Sequence, residues 1–202
     1  MFTDDAKTPG PKQRRQANPR GQGAGLRQEL VLAARDLLVR PQVLNSPSLR
    51  AVARASGVAP SAVYLHFGSA DELLQAVVDD QFDSLRSAIQ ASENAGSVAA
   101  QAVAYVAWGL GNPGGYQLIF ESADQLGLRA PAGPVAGWDL IEALERAISH
   151  ERQQTISSDI LALRLWTGLH GIVSLRLHKP DLDWPTSAEG EARQVVQAIV
   201  EG

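Results

Sequence analysis

Apolar residues along this chain recur at intervals of three and four, and no stretch alternates apolar with polar residues as a half-buried strand does. From Leu26 the series Leu26, Leu30, Ala33, Ala34, Leu37 and Leu38 marks a helix with one buried face. Pro41 and the loop to Pro47 end it, because proline cannot continue a hydrogen-bonded turn. A short second helix is predicted over Leu49–Ser56: Ser48 stands at its N-cap, Leu49, Val52 and Ala53 form its stripe, and Gly57 can take the left-handed conformation that closes it. After the turn of Gly57, Val58 and Ala59, Pro60 sits at the first position of a third helix reaching to about Phe67, where its missing N–H costs nothing. Ser69 with Glu72 forms a capping box ahead of Leu73, Leu74, Val77, Val78 and Phe82, so a long fourth helix opens there.

Every later segment also reads as helix: Val98 to Leu110, Tyr116 to Leu126, Trp138 to Ser149, Ser158 to Leu177 and Ala188 to Val200. Three breakers separate them, at Asn112-Pro-Gly-Gly115, Pro131 to Pro134 and Lys179 to Pro185. The expected fold class is all-α, with no internal repeat.

Charge divides the chain. Residues 1–70 hold ten Lys and Arg against four acids, and the remainder eight against eighteen, so a net charge of -4 conceals a basic start and an acidic end. That asymmetry suits a polyanion partner at one end, or is a charge imbalance with no partner. Residues 1–24 are rich in proline, glycine and basic side chains and poor in large apolar ones, which predicts a disordered basic tail, either solubilising or an arm that reaches DNA. The domain partition expected is therefore this tail, a DNA-binding unit over 25–70, and a helical domain over 71–202. There are no cysteines, which excludes disulfides, thiolate metal sites and cysteine nucleophiles and fits a reducing cytoplasm. Residues 1–25 lack an export-signal core, and the most apolar stretch, Ile160 to Leu177, is interrupted by Arg164, His170 and Arg176, so neither export nor membrane spanning is expected.

Two short helices joined by a glycine-containing turn are the helix-turn-helix arrangement, whose second helix enters the major groove of DNA, although such hairpins also occur in proteins that never meet DNA. On the third helix Val63 and Phe67 share the inward face, while Ser61 and Leu65 point the opposite way, flanked by Ala62 and Tyr64. The outward face is small or hydrogen-bonding where base edges would lie, with a phenol and the His66 imidazole where phosphates would lie. Tyr64 and His66 can equally be residues that cover the hairpin.

The run Ser48-Leu-Arg-Ala-Val-Ala-Arg-Ala-Ser-Gly-Val-Ala-Pro-Ser-Ala-Val-Tyr-Leu-His-Phe67, followed by Ser69 and the pair Leu73-Leu74, resembles the DNA-binding domain of the TetR family of regulators. The resemblance implies that Ser48, Tyr64 and His66 hold the phosphate backbone, that Pro60, Ser61, Ala62 and Leu65 face base edges, and that Phe67 packs in the core. The family often has a lysine on a phosphate at the start of the fourth helix. Here that position is Ala70, followed by Asp71 and Glu72, so the tail, Arg50 and Arg54 are expected to compensate.

The segment Asn112-Pro-Gly-Gly-Tyr-Gln-Leu-Ile-Phe120, with Trp166 and the pair His170-Gly171, resembles the WHG-type C-terminal domain of one TetR subfamily. Trp166 and His170, four apart, share a helix face, and Gly171 allows another helix to approach closely. A pocket for a small, largely apolar ligand is expected from Tyr105, Trp108, Tyr116, Phe120, Trp138, Trp166 and His170, the alternative being that these residues are simply core. His150 and His178 sit near helix ends, where histidine commonly serves as a terminal charge. The resemblance further implies a homodimer, built on the last two long helices as a four-helix bundle, that binds a palindromic operator. A transcriptional regulator, a repressor released by a small-molecule ligand, is the expected function; a non-specific architectural DNA-binding protein is the alternative. No catalytic residue, metal or cofactor is expected, since no metal-spaced cluster, phosphate loop or nucleophile elbow occurs and Ser61 and His66 face different sides of one short helix.

Overall fold

A computed structural model describes residues 23–38, 47–92, 96–122, 138–151 and 156–201. All the described elements are helical: α1 (Gly23–Leu38), α2 (Leu49–Ser56), α3 (Pro60–Tyr64), α4 (Ala70–Gln90), α5 (Val98–Gly111), α6 (Pro113–Gln117, continued by a π-helical turn over Leu118–Ser122), α7 (Trp138–Glu151), α8 (Ser158–His178) and α9 (Ala188–Val196, continued by a π-helical turn over Gln197–Glu201). The expected tail lies outside the described residues apart from Gly23 and Ala24, which already belong to α1; the expected loops at 39–46 and 131–134 also lie outside them.

The start of the fold is set by caps. The Ser48 hydroxyl accepts from Ala51 N at 3.2 Å. Gly57 adopts φ 68°, and the amides of Gly57 and Val58 return to the carbonyls of Arg54 and Ala53 at 3.3 and 3.0 Å, the paired bonds of a Schellman closure. Ser69 caps α4 through Glu72 N at 3.1 Å, while the Glu72 carboxylate reaches past the cap to Gly68 N at 2.7 Å. Around these turns Leu30, Val31, Val52, Val63, Phe67 and Leu73 form a dry core that locks α1 to α4 together.

Two sequence expectations are corrected, and the space around a third position, Gly171, is open within the protomer. The third helix ends at Tyr64 rather than Phe67, although the amides of His66 and Phe67 still bond to the Val63 carbonyl at 2.9 and 3.0 Å and close one more turn. Asn112-Pro-Gly-Gly115 is not a full breaker: only Asn112 interrupts, Pro113 starts α6, and both glycines are helical. Gly115 lies tight against α4: a Cβ there would run into the side-chain amide of the buried Gln81, which would have to move. Gly171, expected at a close helix approach, has open space around it. The close approaches fall at Gly109, where a Cβ would lie 2.8 Å from Val173 Cγ1, and at Gly168, where it would lie 2.8 Å from Val195 Cγ1 of α9.

The C-terminal helices wrap around α8. Leu161, Leu165, Leu169 and Val173 of α8 are core, yet Ile160, Leu163 and Leu175 on its far side are exposed. By length and composition α8 is apolar enough to cross a membrane, but in this fold one side of it is the centre of a helical bundle.

Candidate functional site

The outward surface of α3 carries the expected side-chain inventory. Leu65 and Tyr64 are 84 % and 54 % exposed, while Val63 and Phe67 behind them are buried. Pro60 and Ser61 are exposed beside them, and Ala62 and His66 are half-buried. Arg50 on α2 is exposed. The Ser48 hydroxyl accepts from Ala51 N within its cap, a bond that uses a lone pair and not its O–H. The beginning of α1 lies against the same unit: Arg27 stacks its guanidinium on the Phe67 ring at 4.9 Å, and the Gly23 Cβ position is 3.8 Å from His66 Cε1. The first described residue, Gly23, therefore lies next to α3.

At the N-terminus of α4, the Glu72 charge is engaged by the Gly68 amide, and Asp71 stands in the first helical turn, where the helix dipole favours an acid. The departure at Ala70 is thus stabilising for the helix while removing a cation from this surface.

At the other end of α4, helices α4, α5, α7 and α8 line a partly open cavity of about 230 Å³. Its apolar wall is Ile89, Leu140, Ala143, Leu144 and Leu169, with Tyr105 and Trp166; its polar wall is Arg86, Gln90, Gln101 and Arg146. Of the seven side chains expected to line a pocket, the structure brings Tyr105 and Trp166 to this wall. Tyr116, Phe120 and His170 form a second layer behind it, with the Phe120 and His170 rings 6.3 and 5.6 Å from that of Trp166 and 5.8 Å from each other. Trp108 turns to α4, where its indole N–H donates to Ser84 Oγ at 3.0 Å, since a buried indole donor takes the acceptor within reach. The Trp138 side chain lies outside the described residues.

The layer behind the wall is a polar chain inside an aromatic cluster. The Tyr116 hydroxyl is 2.5 Å from His170 Nδ1 and 3.3 Å from the Tyr105 hydroxyl. Burial pushes both phenols well above their ordinary value, and pulls the His170 imidazole below its own, with the Glu121 carboxylate partly opposing that. Burial thus favours the neutral imidazole, and the Tyr116 hydroxyl lies within hydrogen-bond distance of both His170 Nδ1 and, at 3.4 Å, the His170 carbonyl. Glu121 itself accepts from Ser174 Oγ at 3.1 Å and sits 3.6 Å from His178 Nε2. The buried Trp166 indole N–H, at the cavity wall, makes no hydrogen bond of normal geometry.

Sequence reasoning missed the polar wall. Arg86 lies on the apolar stripe of α4, four residues after Phe82 and three before Ile89, and a cation at such a position was the available signal. Gln81 was missed too. Its amide donates to Asp80 at 3.1 Å, and the other Asp80 oxygen accepts from Gln28 of α1 at 2.6 Å, so α6, α4 and α1 meet in one polar contact line.

A capped two-helix unit with an exposed, groove-sized second helix, set on a separate helical domain that holds a cavity, defines a one-component DNA-binding regulator. The chain belongs to the TetR family: residues 44–77 match the profile of bacterial regulatory proteins of the tetR family, and residues 98–199 that of the tetracyclin repressor-like C-terminal domain. Solved structures share the fold. A TetR-family transcriptional regulator from Haemophilus influenzae RD superposes with TM-score 0.60 at 21 % identity, over 89 % of this chain and 99 % of its own. NalD, the secondary repressor of the MexAB-OprM multidrug efflux pump in Pseudomonas aeruginosa, gives 0.60 at 17 % identity over 90 % and 96 %. The multidrug binding protein EbrR, complexed with imidazole, gives 0.61 at 22 % over 94 % and 97 %. No curated protein matches the sequence. The chain is thus a DNA-binding transcriptional regulator, of a family that acts by binding and whose C-terminal domain takes ligands.

Proposed function

We propose that the protein is a homodimeric repressor that leaves a palindromic operator when a small molecule enters the cavity between α4 and α8. The observation that carries this reading is the reach of α4. Its first turn is capped directly after α3, and its last turns supply Arg86, Ile89 and Gln90 to the cavity wall. A helix of this length spans roughly 30 Å, so a displacement at one end is delivered at the other. Ligand release requires that the ligand favour one spacing of the two DNA-binding units over the other, which such a lever supports.

On the DNA side, Ser48, Arg50, Tyr64 and His66 are the phosphate contacts of this reading, and Pro60, Ser61, Ala62 and Leu65 meet base edges. Dimerisation would cover the exposed side of α8, where Ile160, Leu163 and Leu175 flank the small residues Thr167 and Gly171. Space around Gly171 is what a partner helix would use. Cytoplasmic location follows from the DNA partner.

Because the chain has no cysteine, one spin label on Ala55→Cys, an exposed position of α2 outside the proposed DNA contacts, reports the distance between the two DNA-binding units directly. On the operator the distance should match half-sites about 34 to 36 Å apart and should change when the cavity is filled. A dimer whose label distance is the same in every state contradicts the lever.

A further inference from the structure

We infer that the outward surface of α3 reads thymine methyl groups: Leu65 above all, with Ala62 and Pro60 beside it, gives the regulator its choice of sequence through apolar contact with C5-methyl groups in the major groove. This rests on the reading of α3 as the helix that enters the groove and adds which feature of the bases it selects. From Ala55 to Ser69 the chain has no Arg, Lys, Asn, Gln, Asp or Glu. Those are the side chains that tell base pairs apart by hydrogen bonds, with arginine or lysine on guanine, asparagine or glutamine on adenine, and an acid on cytosine. With none of them on α3, the distinguishing feature left to it is the thymine methyl group, which takes apolar contact.

The exposed groups suit that task. Leu65 follows α3 directly and keeps a right-handed helical backbone, so Ser61 four residues before it and Ala62 three before it share its side of the turn. Leu65 is 84 % exposed, Pro60 and Ser61 are exposed and Ala62 is half-buried, while Val63 and Phe67 are committed to the core. A single bare leucine is ordinary on a protein surface, but this one stands with Pro60 and Tyr64 on the outward side of a groove-reading helix, and it gains by being covered. The Ser61 hydroxyl both donates and accepts, so it fits more than one base edge. His66 is half-buried, with its Cε1 3.8 Å from the Gly23 Cβ position at the start of α1. Arg50 and Arg54 belong to α2, the helix that crosses the backbone in this motif. Cations outside α3 thus supply affinity at phosphates, and the apolar surface of α3 supplies the choice of base.

Duplexes selected from a random pool by the full-length protein supply the operator. Each half-site thymine is then replaced in turn, symmetrically in both half-sites, by uracil, which keeps every hydrogen-bonding group and loses only the methyl. At one position or more Kd should rise about tenfold or more, since each buried methyl contributes about fourfold and a symmetric dimer meets two. At that position 5-methylcytosine should bind more tightly than cytosine by a similar factor, a comparison that needs no protein variant. Leu65→Ala, a change at a bare surface position, should bind the thymine and uracil duplexes within about twofold of each other. A motif whose half-sites contain no thymine, uracil tolerated at every position, or a methyl preference that survives Leu65→Ala overturns the methyl assignment and leaves the sequence-specific regulator standing. A pool that yields no motif removes the groove reading of α3 and this inference together.

Discussion

Replacing Tyr116 by phenylalanine tests whether the polar chain behind the cavity is a structural element or an incidental contact. The substitution keeps the ring and its packing on Phe120, 4.9 Å between centroids, and removes only the hydroxyl. That hydroxyl joins His170 Nδ1 at 2.5 Å to Tyr105 at 3.3 Å, so its loss strands an acceptor and a hydroxyl in a low-dielectric setting. Stranding a buried polar group costs about 1–3 kcal/mol. For a chain of about this size 1 kcal/mol lowers Tm by roughly 2–4 °C, which predicts a fall of about 2–12 °C. Thermal unfolding by circular dichroism should be run at one fixed protein concentration, because a dimer's apparent stability depends on it. The pair Tyr116→Phe and His170→Phe supplies the decisive comparison. The double variant removes both partners, and its loss should be smaller than the sum of the two single losses by about 1 kcal/mol or more. A Tyr116→Phe protein as stable as the parent, or losses that simply add, would refute the reasoning.

Tyr64→Ala should weaken binding to all duplexes to a similar extent, whereas substitutions at Ser61 should alter sequence preference; competition binding against a randomised duplex pool distinguishes them, and the reverse pattern would reassign the surface of α3. Gly168→Ala places a Cβ against the β-branched Val195 and should cost about 1–3 kcal/mol in urea unfolding, while Gly171→Ala, with open space in the single chain, should leave protomer packing intact and act only on dimer dissociation. Because burial holds the His170 imidazole below its ordinary value, the unfolded chain takes up the proton first as pH falls; stability from this residue is complete above about pH 6.5 and declines from there downward through the lower folded value, a slope that His170→Phe should reduce in unfolding titrations.

What was legible in the sequence was local. Ser48, Gly57, Pro60 and Ser69 each dictate a cap or a first turn through their own backbone chemistry, and the helix-turn-helix unit follows from them almost to the residue. The exposure of Leu65 was legible for the same reason, since the helical period sets it opposite Val63 and Phe67 only if the hairpin packs one way. Long-range facts were not. Gly115 reads as a breaker until Gln81 of a different helix is set against it, and Gly171 reads as a packing notch although Gly168, one turn earlier, is the one that α9 presses upon. The cavity shows the same division. Aromatic residues mark the C-terminal core in any reading, but which of them reach a wall depends on how α7 lies across α8, and the residues that give the wall its charge, Arg86 and Arg146, look in one dimension like ordinary surface cations.

The central claim is that α3 lies in the major groove of DNA, twice, in a symmetric dimer. Selection of duplexes from a random pool by the full-length protein, followed by footprinting of the winner at several salt concentrations, tests it most directly. The account predicts a palindrome with two protected half-sites about one helical turn apart, and affinity that falls steeply with salt. Uniform coating of duplexes without a motif, or no binding to any sequence at low salt, would contradict it.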